Sequence, residues 1–169
     1  LVIDWKRFFK SRFLSDDKNK SQIDSNNFGN IKLRKGVLYQ RLVINRKGNF
    51  YAFTTNKLSQ QKVFIYDNNT KSRKRILRLG HKIDILPDYS FPILAWNSKG
   101  DVLSVFYESK GQLNWLTYNV ETNKKSKSKL FHFDKILEAS YSKSGKKIVV
   151  SAVMNGKTDV FVLDVMSRS

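Results

Sequence analysis

Residues 136–168 read ILEASYSKSGKKIVVSAVMNGKTDVFVLDVMSR. An apolar strand leads into a Ser-Lys-Ser-Gly turn, a second apolar strand into an Asn-Gly turn, and a third strand ends on Asp164. The same order recurs twice upstream. Gly48, Gly100 and Gly145 mark the first turn, and Asp67, Asn119 and Asp164 close the third strand, 19 residues later each time (48 to 67, 100 to 119, 145 to 164). Thr70, Thr122 and Ser167 follow in step, three residues on. A register held over three copies with few identical residues is the mark of a structural repeat, and a period of about 45 to 52 residues with several short strands falls in the range of propeller blades.

The columns agree in chemistry. Four residues before the glycine stand Ile44, Trp96 and Tyr141, and five after it Phe53, Val105 and Val150. Phe64, Leu116 and Phe161 come three before the closing Asp or Asn. Large residues on both faces of the middle strands suit sheets stacked on other sheets. The glycines allow the positive φ of a tight hairpin. Asp67, Asn119 and Asp164 are expected to cap the next turn through its backbone.

The strands expected from this pattern are Leu42–Ile44, Phe50–Thr54, Val63–Asp67 and Lys74–Leu79 in the first copy. The second copy gives Ile93–Trp96, Val102–Tyr107, Leu113–Asn119 and Lys129–Phe133, and the third Leu137–Tyr141, Lys147–Val153 and Asp159–Asp164, with no fourth strand. Upstream, residues 2–14 (VIDWKRFFKSRFL) have the spacing of a short basic amphipathic helix, and residues 15–36 are polar, as in a linker. Aromatics on such a helix suit packing on a neighbouring domain better than lying on a membrane.

The repeat resembles the TolB-type, WD-repeat-like β-propeller blade over residues 37–169. The third copy is the best match and the first the weakest. The usual Ser-Pro-Asp-Gly turn of such blades is here Asn45-Arg46-Lys47-Gly48, Asn97-Ser98-Lys99-Gly100 and Ser142-Lys143-Ser144-Gly145, without the Pro or the Asp. The resemblance implies an all-β fold: a partial β-propeller of about three four-stranded antiparallel blades (37–84, 85–135, 136–169), preceded by the helix and linker of residues 1–36. A closed ring typically needs about four to eight blades. The expectation is therefore a fragment of a longer chain, and the first residue, Leu1 instead of Met, fits that reading.

Function is written less clearly. The chain has 169 residues and no cysteine, which excludes disulfide scaffolds and thiolate metal sites. No apolar run approaches the roughly 18 to 20 residues that span a bilayer. His81 and His132 are the only histidines and lie 51 residues apart, so no metal site is expected. Neither a Gly-x-Ser-x-Gly elbow nor a phosphate-cradling glycine loop occurs, and the expectation is no catalytic residue and no cofactor.

Charge carries the main signal. The net charge is +18, from 32 Lys and Arg against 14 Asp and Glu, which favours anionic partners. Lysine also keeps many surfaces soluble with no further role. In a four-stranded blade the first and third connections emerge on one face, and 14 of the 32 cations fall there. The candidate basic face comprises Arg46, Lys47, Arg73, Lys74, Arg75, Lys99, Lys124, Lys125, Lys127, Lys146 and Lys147. Few acids oppose them, chiefly Asp101 and Glu121. Interleaved exposed aromatics, which nucleic-acid stacking needs, are missing from these loops, and Phe131 and Phe133 read as strand. On the opposite side, Leu86, Tyr89 and Phe91 mark a partly apolar loop suited to a protein partner.

Three readings follow. The first is a non-catalytic scaffold or protein-interaction segment of a larger bacterial envelope or secreted protein, as the resemblance implies. The second is a substrate-filtering accessory to a peptidase domain outside this segment. The third is a basic-face module for anionic lipid, lipopolysaccharide or, less well supported, nucleic acid.

Overall fold

A computed structural model describes residues 34–81 and 90–167. The helix expected over residues 2–14 lies outside them, as does most of the linker. The described residues form eleven strands in three antiparallel sheets. The first sheet holds β1 (Leu38–Ile44), β2 (Phe50–Lys57), β3 (Gln60–Asp67) and β4 (Ser72–Leu79), in that spatial order. The second holds β5 (Ile93–Trp96), β6 (Val102–Ser109), β7 (Gln112–Asn119) and β8 (Lys125–Lys129), again in chain order. The third has three strands, β9 (Lys135–Tyr141), β10 (Lys147–Met154) and β11 (Lys157–Asp164), with β10 central.

The turn chemistry is the same in each copy. The Gly48, Gly100 and Gly145 amides donate to the carbonyls of Asn45, Asn97 and Ser142 at 2.9, 3.0 and 2.9 Å, and the three glycines have φ of +73°, +76° and +71°. The caps form as their residue types dictate. Asp67 Oδ1 accepts from the amide of Asn69 at 2.8 Å, Asn119 Oδ1 from Glu121 at 2.9 Å, and Asp164 Oδ1 from Met166 at 2.8 Å. The second hairpin of each copy is a two-residue turn with positive φ at both positions: Leu58-Ser59, Lys110-Gly111 and Asn155-Gly156. That geometry matches the twist of the flanking strands and favours Asn-Gly, which only the third copy has.

Two apolar clusters hold the sheets together. Between the first and second, Ala52, Val63 and Ile65 meet Leu103, Val105 and Leu116. Between the second and third, Phe106 and Trp115 meet Ile136, Ile148 and Val150. Strand β6 thus feeds both: Leu103 and Val105 point one way, Phe106 the other, and all are buried. Burying each such side chain is worth about 1.5–3 kcal/mol, so the two clusters dominate the stability of the stack. On the outer side of the third sheet, Val149, Val160 and Val162 remain 40%, 63% and 57% exposed, with Val149 directly opposite Val162.

The column Ile44, Trp96, Tyr141 acquires a meaning here. Trp96 Nε1 donates back to the Val43 carbonyl of the first sheet at 3.3 Å. Tyr141 OH lies 2.7 Å from Ser104 Oγ of the second, and that oxygen also accepts the indole N–H of Trp115 at 2.8 Å. This position therefore ties each sheet to the one before it. Ile44, in the first sheet, is exposed.

One strand departs from the expected register. The fourth strand of the second copy is Lys125–Lys129, not Lys129–Phe133. Phe131 and Phe133 follow it, and Phe131 is 71% exposed. The alternation Lys-Ser-Lys-Ser-Lys forms a strand because β7 supplies a ladder for it, although it has no apolar face of its own.

Candidate anion- and partner-binding face

Antiparallel order β1-β2-β3-β4 places the β1–β2 and β3–β4 turns at one end of the sheet, and the second and third sheets repeat this. All eleven candidate cations are exposed. They divide into two groups. Arg46, Lys47 and Lys99 lie in β1–β2-type turns, with Lys146 and Lys147 where β10 begins and Lys124 in the turn before β8. Arg73, Lys74 and Arg75 are on β4, and Lys125 and Lys127 on β8, so these five lie along outer strands, Arg73, Lys125 and Lys127 having been expected in the turns before them.

The outer strands carry the charge without opposition. β4 has four cations (Arg73, Lys74, Arg75, Arg78) and β8 three (Lys125, Lys127, Lys129), and neither has a carboxylate. Strand alternation splits them between faces. Arg73 stands beside Tyr66 and stacks its guanidinium 4.8 Å from the Phe64 ring. Lys74, opposite Ile65, faces the second sheet, where its ammonium donates to Asn123 Oδ1 at 2.6 Å. Lys125 reaches the other way and donates to the Ile76 carbonyl at 2.9 Å. Burial, then the charges of Lys74 and Lys127, hold the Lys125 ammonium below its ordinary lysine range.

The acids at this end are largely engaged. Asp67 and Asp164 accept backbone amides, and Asp101 accepts Asn97 Nδ2 at 2.7 Å. At the inner strands, Arg41 of β1 bridges to Glu138 of β9 at 3.4 Å and also donates to the Ser90 carbonyl at 3.1 Å.

The expected apolar loop lies mostly outside the described residues. Leu86 and Tyr89 fall outside the described residues. Phe91 is 4% exposed and packs with Ile93 and Phe106, the Lys135 ammonium lying 5.7 Å from its ring. It is a core residue and presents no surface for docking. The turn chemistry around it gives no sign of this in sequence, because its burial depends on β9, which begins 44 residues further along the chain (91 to 135).

Among the described residues no group of three His, Asp or Glu side chains is placed to hold a metal ion, and no helix is long and apolar enough to cross a membrane.

Three stacked antiparallel sheets with matched turns are also the arrangement of known structures. TolB from Acinetobacter baumannii superposes with a TM-score of 0.60 at 12% identity, over 78% of this chain and 31% of that one. The chain folds as a partial TolB-like β-propeller. The β-propeller domain of the trilobed protease from Pyrococcus furiosus, described as having an open velcro topology, matches with a TM-score of 0.60 at 12% identity, over 81% of this chain and 42% of that one. An acylaminoacyl peptidase, solved with Z-Gly-Gly-Phe-chloromethyl ketone, gives 0.60 at 11% identity over 80% and 24%. This chain thus spans less than half the length of each of these structures. No family model matches its sequence, and no curated protein does. Each sheet is thus one blade of the propeller.

Proposed function

We propose that this partial propeller is a non-catalytic recognition module of a larger bacterial envelope or secreted protein, and that its partner is a protein with an acidic surface. The observation that carries the reading is the turn end of the blades. There, Arg46, Lys47, Lys99 and Lys146 are all exposed, on hairpins fixed by the same hydrogen bonds in each copy, with the exposed Lys124 in the turn before β8. A rigid array of this kind gives up little conformational entropy on docking. Cations in such an array also speed the encounter with an acidic partner. The neighbours support a propeller module and, through TolB, an envelope setting.

The test is photo-crosslinking in source cells, with a photoreactive residue at position 47, 99 or 146, and at 110 in the opposite turns as control. The reading expects protein adducts from the first three that disappear when the remaining cations among Arg46, Lys47 and Lys99 are reversed in charge. Equal adducts from position 110 would remove it.

A second reading has its own support. Two of the neighbours are a protease propeller and a peptidase, which supports a role as the accessory domain of a hydrolase, admitting substrate to it. A fluorophosphonate probe that labels the parent chain outside residues 37–169 would favour this reading over the first for a serine hydrolase.

A further inference from the structure

We propose that the seam between the first and second blades is an oxyanion site, which takes a phosphate or phosphomonoester group between Lys74 and Lys125. The inference goes beyond protein docking and needs no protein partner.

The seam holds a cleft of about 160 Å³ whose walls include Ser72, Lys74, Tyr118 and Asn123; Lys125 does not line it but shares the Tyr118 ring with Lys74. By liquid volume this is room for about five waters. The ammonium groups of Lys74 and Lys125 lie 5.5 and 5.9 Å from the centroid of the same Tyr118 ring. Each makes one hydrogen bond, to Asn123 Oδ1 and to the Ile76 carbonyl, and both acceptors are neutral. An ammonium has three donors, so each keeps two for a ligand.

Asn123 adds two more. Its Oδ1 also accepts Tyr118 OH at 2.6 Å, which leaves Nδ2 without a partner among the described residues. Lys127, two residues along β8 on the same side as Lys125, makes no hydrogen bond or ion pair among the described residues and extends the positive field. One carboxylate lines the cleft, Asp67, and its Oδ1 is occupied by the amides of Asn69 and Thr70 at 2.8 and 3.4 Å.

The bland account of these lysines is that they pin one blade to the next. It explains the two hydrogen bonds. It does not explain why both pins are cationic when a neutral donor would serve, nor why Lys127 adds a charge that helps hold Lys125 below its usual range. A bound oxyanion satisfies the spare donors and offsets the mutual repulsion. It should also restore Lys125 toward its ordinary value.

The experiment is an amide NMR titration of the 169-residue chain with inorganic phosphate, against chloride at matched ionic strength. A parallel arm measures co-sedimentation with phosphatidylcholine vesicles, with and without phosphatidic acid, and so separates a lipid headgroup from free phosphate. The expected result is saturable shifts centred on residues 72–74 and 122–125, or vesicle binding that requires phosphatidic acid. K74Q and K125Q should weaken whichever is seen by roughly tenfold each, as loss of a charge-assisted contact does. K127Q, which breaks no blade-to-blade contact, should weaken it about two- to threefold by loss of long-range attraction, and K157Q, at the start of β11, should leave it unchanged. K125R keeps the charge and should retain binding, which guards against a folding defect in K125Q. The proposal is overturned if neither arm binds, or if K127Q and K74Q bind as well as the parent. Shifts spread evenly over every lysine-bearing turn would also overturn it.

Discussion

Alanine at Gly100 should cost far more than alanine at Gly48, although the two glycines are equivalent in the repeat. Both have positive φ, +73° at Gly48 and +76° at Gly100, so each substitution pays about 1–2 kcal/mol for a left-handed alanine. At Gly48 the new Cβ meets nothing within 4 Å. At Gly100 it would stand 3.0 Å from Asn45 Nδ2 of the preceding blade. Asn45 is 3% exposed and fully used: Nδ2 donates to the Gly100 carbonyl at 2.9 Å and to Asn49 Oδ1 at 2.8 Å, and Oδ1 accepts the Phe50 amide at 3.0 Å. It cannot step aside without stranding at least one buried group, at about 1–3 kcal/mol. Gly100→Ala should therefore cost about 2–5 kcal/mol against about 1–2 for Gly48→Ala. Gly145→Ala, which meets only the rotatable hydroxyl Ser98 Oγ at 3.1 Å, should lie between them. Thermal unfolding followed by circular dichroism reads the difference, at roughly 3–5 °C per kcal/mol for a domain of this size. Equal shifts for Gly48→Ala and Gly100→Ala would refute the turn-to-turn contact between the first two blades.

Other consequences are as direct. Ser104→Ala removes the acceptor of the Trp115 indole and the partner of Tyr141 OH, and should lower stability by about 1–3 kcal/mol in urea unfolding. Tyr141→Phe should cost less, because Ser104 still accepts from Trp115. Replacing Leu58-Ser59 by Asn-Gly, the pair already present at Asn155-Gly156, should raise the melting temperature, since Leu58 sits at φ +48° with half its surface exposed. Asp164 is held below the ordinary aspartate value of 3.8, first by the backbone amide of Ser167 and then by that of Met166. A depressed folded pKa contributes stability above the unfolded pKa and loses it as pH falls through the folded one. Asp164→Asn should therefore be slightly less stable than the parent at neutral pH and lose less stability on acidification, as Asn119 makes the same cap without a titratable group.

The sequence disclosed what depends on local chemistry. Gly48, Gly100 and Gly145 and the caps at Asp67, Asn119 and Asp164 fold as their residue types require, because a hairpin is decided within a few residues. The end of the blades at which the first and third turns emerge followed from antiparallel order alone. What it concealed depends on distant neighbours. β8 has no apolar periodicity, so Phe131 and Phe133 drew the expected strand too far along the chain. Phe91 looks like a loop aromatic and is core because β6 and β9 cover it. The seam lysines were readable as basic residues, but only packing sets Lys74 of one blade and Lys125 of the next against one tyrosine ring. No sequence distance of 51 residues announces that.

The stacking order of the blades is the claim on which the basic face and the seam both rest. The most direct measurement is a set of side-chain nuclear Overhauser contacts in the 169-residue chain. The expected set joins Asn45 to Gly100, Lys125 to Ile76, Trp96 to Val43 and Tyr141 to Ser104, with none from Phe161 to Val63. Absence of the first four, in a sample whose within-sheet contacts are intact, would contradict the account.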